Sequence, residues 1–133
     1  MEIIYEKRVN LTLSEALESL KAELKERKFG VLYELNFRDK LVENDLAFDH
    51  DFYVLEVCNP GFAKQVLDQH LDMGYFMPCK MAVYEDAEGV KLGMLKPSQL
   101  MSISGYTDLE QMASNVDDIL SEAIDAVVKR ADG

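Results

Sequence analysis

The run Cys58-Asn59-Pro60-Gly61-Phe62-Ala63 sets a thiol where an apolar strand gives way to a helix. Asn is a preferred N-cap and Pro is favoured at the first helical position, so the helix starts here. The first amides of a helix point outward without partners, and such an end attracts anions and favours thiolate over thiol. The arrangement predicts a Cys58 pKa modestly below the ordinary value of about 8.5. It also predicts a site at Cys58, Asn59 and Gly61, with Cys79 as a candidate second thiol, for a small anion, a persulfide sulfur or a soft metal. A plain structural reading stands beside it: cysteine is a small hydrophobe that often ends a strand, and Asn-Pro is a common helix start.

Pro78-Cys79 supplies the only other thiol, 79 − 58 = 21 positions on. A parallel strand–helix–strand crossover would leave the two cysteines about 20 Å apart, at opposite ends of a strand, too far for a disulfide. The eight residues from Leu71 to Pro78 could climb back about 25 Å if extended, so spacing alone leaves open whether the thiols meet. His70 falls in the last turn of the helix after Asn59, where the dipole favours positive charge. His50 lies between Asp49 and Asp51 in a polar loop with no second ligand at fixed spacing. Glu85-Asp86-Ala87-Glu88-Gly89 lacks the alternating ligands of a calcium loop and reads as a hairpin turn. Met73, Met77, Met81, Met94 and Met101 read as core filling. No phosphate-binding glycine loop, H-E-x-x-H or G-x-S-x-G is present. Acid–base residues are scarce near either thiol, which leans away from an enzyme.

The elements that must position these residues follow from periodicity. Glu2 to Val9 alternates as a strand. Thr12-Leu13-Ser14-Glu15 is a capping box opening a helix with Leu13, Leu17, Leu20 and Leu24 on one face, ending near Lys28. Gly30 to Asn36 reads as a strand and Phe37 to Asn44 as a short helix. Phe52 to Cys58 is the strongest strand, β-branched and aromatic. The helix after Asn59 carries Phe62, Ala63, Val66 and Leu67, and Gly74 closes it. Met77–Glu85 and Val90–Lys96 pair as a hairpin that ends at Pro97. Thr107-Asp108-Leu109-Glu110 is a second capping box, opening a helix to about Ala131 with Leu109, Met112, Val116, Ile119 and Ala123 on one side. The expected fold is α/β in the α+β sense. It is one domain over residues 1–133, a single mixed β-sheet covered by helices in the order β-α-β-(α)-β-α-β-β-α.

Composition limits what such a domain can serve. With 133 residues it is large enough to bury about two-thirds of its surface without a metal or disulfide staple. Fourteen Lys and Arg against 25 Asp and Glu give −11, which argues against nucleic acid and against anionic membrane surfaces. No stretch reaches a membrane span, the first residues carry charge at once, and two cysteines are too few for a secreted scaffold. The expectation is a cytoplasmic protein with no cofactor indicated. A final helix of roughly 36 Å is long for this domain, so part of its apolar face is expected to pair two copies as a homodimer.

Phe29-Gly30-Val31-Leu32, Val54-Leu55, Cys58-Asn59-Pro60 with Ala63, Gly74, Pro78-Cys79, Val83-Tyr84-Glu85, and Pro97 with Met101 resemble the domain-of-unknown-function family 302. The resemblance spans essentially the whole chain and is nearest to the variant with both C-N-P and P-C motifs. It implies a small α/β domain, often dimeric, with no established reaction. The sequence departs from the pattern at Lys28 and Glu56, where glycine is expected. A glutamate at position 56 would crowd or charge the approach to Cys58. The leading functional expectation is a non-catalytic or thiol-based binding module. The rival is a structural or interaction homodimer with inert cysteines.

Overall fold

The computed structural model describes residues 2–133. The strands are β1 (Ile4–Val9), β2 (Gly30–Asn36), β3 (Phe52–Cys58), β4 (Cys79–Asp86) and β5 (Gly89–Leu95). The helices are α1 (Leu13–Glu26), α2 (Phe37–Glu43), α3 (Pro60–Gln69), α4 (Pro97–Ser104) and α5 (Glu110–Asp132), with 3-10 turns at Leu71–Phe76 and Thr107–Leu109. They form an α+β fold with one open sheet in the order β1-β5-β4-β3-β2. The expected mixed sheet is corrected: every neighbouring pair is antiparallel. The reason lies between β3 and β4. There α3 and the 3-10 turn after it pack against each other, and the chain re-enters the sheet at the end it left, with Val57 opposite Cys79.

Period-two alternation divides the sheet into two faces. Leu55, Val57, Met81, Val83, Leu92 and Met94 face α1 and α5 and are buried. The capping box at Thr12 forms as expected, with Glu15 N–H donating to Thr12 Oγ1 and Thr12 N–H to Glu15 Oε1. Ala16, Leu17, Leu20 and Leu24 of α1 then meet Val116, Leu120, Ala123, Ile124 and Val127 of α5 over the sheet. The second capping box does not form. Thr107–Leu109 is a 3-10 turn that sinks Leu109 fully, and α5 begins only at Glu110. A second apolar cluster joins Val66, Met73, Met101, Leu109 and Ala113 beside the first. Of the five residues on the face expected to pair two copies, Leu109, Val116 and Ala123 are buried in the chain's own core, and Met112 and Ile119 are partly buried against it. The other face of the sheet carries Ile4, Phe52, Val54, Ala82, Tyr84 and Leu95, and α2 reaches its margin through Phe37 against Phe52.

The turn from α1 into β2 explains one departure from the family pattern. Phe29 N–H donates to Leu24 O and Lys28 N–H to Lys25 O, a double closure of the helix that needs a left-handed residue at position 28. Lys28 takes that conformation, with φ of 68°, where glycine would be unstrained.

Candidate functional site

Strand β3 is buried and stiff, and it delivers Cys58 directly to the start of α3. Asn59 is the N-cap: its Oδ1 accepts the Phe62 amide at 3.1 Å, and its carbonyl accepts the Ala63 amide at 3.0 Å. A Cβ on Gly61 would come within 3.2 Å of that Oδ1, so glycine leaves the cap room. Pro60 has no amide proton. Of the first four helical positions, only Gly61 keeps an amide outside these bonds. The anion cradle expected at this helix start is therefore mostly closed by the protein's own Asn59.

Antiparallel β3 and β4 answer the question that spacing left open. Because Val57 pairs with Cys79, Cys58 and Cys79 stand at the same end of neighbouring strands and line one crevice. Both are free thiols. The crevice, about 410 Å³ with adjoining open solvent included, sits where the two apolar clusters meet. Phe29 and Phe62 wall one side with ring centroids 6.3 Å apart. Met77, Met101 and Met112 contribute thioether-bearing side chains to the same lining. The structure thus joins Met77 and Met101 to the cysteines and keeps Met73, Met81 and Met94 as core. Glu56 pairs with Lys80 in the sheet and is not part of the lining, so it does not crowd the thiols as the sequence led us to expect.

The electrostatics overturn a second expectation. Burial pushes the Cys58 thiol up from its ordinary value, not down. Its cause is desolvation, which disfavours the charged form and opposes the helix dipole. Cys79 is pushed up to about 11, first by burial and then by the neighbouring Cys58 and Asp117. At neutral pH the crevice holds two protonated thiols in apolar surroundings.

Two contributors escaped the sequence reading. The sequence reading ends the hairpin at Pro97 and assigns no element after it, yet Pro97 opens α4 at the favoured first position and Met101 reaches the crevice. Asp117 of α5 accepts the Ser98 amide at 3.0 Å and also the Ser98 hydroxyl, pinning α4 against α5. The Pro-Ser start followed by Leu100 and Met101 was the available signal. Neither histidine joins the cysteines. His70 stacks on Tyr106 with centroids 3.7 Å apart and lies 2.9 Å from Asp108, while His50 sits edge-on to Phe48. Among the described residues no three His, Cys, Asp or Glu side chains gather as a metal site, and no helix is long and apolar enough to cross a membrane.

One open antiparallel sheet with α1 and α5 on its inner face, and two free cysteines at one end, defines a small α+β domain. The family described as "Domain of unknown function DUF302" matches residues 5–127, and the chain belongs to it. It is similar to the uncharacterized conserved protein DUF302 from Bacillus stearothermophilus, whose crystal structure superposes with a TM-score of 0.90. That likeness has 35% sequence identity and covers 94% of this chain and 98% of the other. No curated protein sequence matches the chain significantly.

Proposed function

We propose that this protein is a non-catalytic binding module that holds a soft, thiophilic metal ion between Cys58 and Cys79. The observation that carries the reading is the convergence of both free thiols and three methionines on one crevice. Thiolate and thioether sulfurs select soft ions such as copper(I), whereas hard cations prefer oxygen. Two neutral, half-buried thiols are poor spontaneous nucleophiles, which weighs against a persulfide carrier. They remain competent ligands, because a bound metal ion displaces their protons, each passing to solvent as its metal–sulfur bond forms. The capped helix start weighs against a free anion.

The test is an oxygen-free titration with copper(I) against a chromophoric competing chelator. One ion per chain is expected, with at least tenfold weaker binding in Cys58→Ser and in Cys79→Ser. Equal binding by wild type and the double serine variant would sink the reading. The burial that raises both thiols favours the rival, an interaction protein with inert cysteines. In that case neither cysteine would alkylate before the protein unfolds.

A further inference from the structure

We infer that the outer face of the sheet, opposite α1 and α5, carries a ligand trough that takes a small aromatic carboxylate, with Lys80 as the partner of its charge. The inference is independent of the thiol crevice. Strand register sets the shape. Gly93 pairs with Ala82 and Ala82 with Val54, so a low row crosses β5, β4 and β3. Taller side chains stand two residues away on either side, Tyr84 and Phe52 along one flank and Leu95 and Lys80 along the other. The trough between them measures about 810 Å³ with adjoining open solvent included, roughly twice the crevice. About 350 Å³ of it admits the centres of water-sized molecules, and small-molecule sites run from about 300 to 1,000 Å³. The lining is recessed: Val54 and Gly93 are buried, and Phe52, Ala82, Tyr84 and Leu95 are half-buried.

The chemistry of the lining selects the ligand. The rings of Phe52 and Tyr84 stack with centroids 4.7 Å apart and 20° between their planes, making one continuous aromatic wall. Phe37 packs on Phe52 and closes that end. The floor is held at backbone level, because a Cβ on Gly93 would fall 2.5 Å from Glu6 Cβ. A flat ring system fits such a floor and gains contact with the wall. The polar margin is already paired within the protein. Arg8 holds Asp86 at 2.9 and 3.2 Å, and Glu6 accepts the Tyr84 hydroxyl at 3.0 Å with Lys91 Nζ 3.5 Å away. Lys80 differs. It is exposed on the other flank and makes no ion pair or side-chain hydrogen bond among the described residues, although Glu56 stands opposite it in register. A lysine without its own carboxylate is free to give a ligand anion a charge-assisted hydrogen bond. The chain's −11 repels polyanions, so the ligand carries a single charge.

Titration with 2-naphthoate, followed by calorimetry and by amide chemical shifts, tests this. One molecule per chain is expected, with ring-current shifts gathered at Ala82 and Gly93. Lys80→Ala should weaken binding about tenfold or more, Lys80→Arg should restore most of it, and neutral 2-naphthamide should bind the wild type about tenfold more weakly. Ala82→Leu, which raises the floor, should abolish binding, with circular dichroism confirming the fold. The Cys58→Ser, Cys79→Ser double variant should bind as the wild type does, which separates this site from the crevice. A wild type that takes up no 2-naphthoate at 1 mM, a folded Lys80→Ala that binds undiminished, or shifts gathered at Cys58 and Cys79 instead would each overturn the inference.

Discussion

The side-chain amide of Asn59 donates to the main-chain carbonyl of Lys28 at 3.2 Å, while its oxygen caps α3. One residue therefore ties the end of α1 to the start of α3 and fixes β2 against β3 at Cys58.

Asn59→Ala should cost about 1–2 kcal/mol, a cap and a second hydrogen bond together. Urea unfolding checks this. A midpoint unchanged within error would mean that solvent replaces both bonds at no cost.

Lys28→Gly should stabilise the protein by about 1 kcal/mol, because the left-handed backbone at position 28 burdens any residue with a Cβ. The Asn59 bond uses the carbonyl and survives the change. A lower melting temperature for the glycine variant would contradict this.

Both thiols should lose protons only at high pH. A group whose folded pKa lies above its unfolded one stabilises the fold below the unfolded pKa and loses that contribution as pH rises through the folded value. For Cys79 the window runs from about 9, its ordinary value, to about 11. Stability measured across it should fall more steeply for wild type than for Cys79→Ala. In iodoacetamide labelling of the native protein, Cys58 should react first at every pH. A labelling profile for Cys58 that levels off below pH 8 would contradict the desolvated site.

Gly93→Ala should weaken the β1–β5 pairing, by about 2 kcal/mol or more. The added Cβ would stand 2.5 Å from Glu6 Cβ and 2.7 Å from the Tyr5 carbonyl. Hydrogen exchange should then accelerate in β1 ahead of β3. Uniform exchange would show that the strand shifts without loss.

Much of this was legible in the residues. The strand through Cys58 and the Asn59-Pro60 start of α3 are written in local preferences and periodicity, as is the first capping box. The direction of β4 was not. It depends on how α3 packs against the 3-10 turn that follows, a tertiary contact with no local signature. That single contact decides whether Cys58 and Cys79 meet. The thiol pKa was misjudged for a related reason: the dipole is visible in sequence, whereas the aromatic and methionine walls that desolvate the thiols come from distant segments.

The sheet order also constrains how the molecule assembles itself. β2, β3, β4 and β5 are consecutive neighbours and can zip in the order of synthesis. β1 pairs only with β5, Ile4 opposite Leu95, a loop of 95 − 4 = 91 positions. Closing a loop of that length is entropically costly before its contacts form. The first strand made is thus the last to be placed. Until β5 exists, β1 has no strand to pair with, a nascent stretch for chaperones to shield.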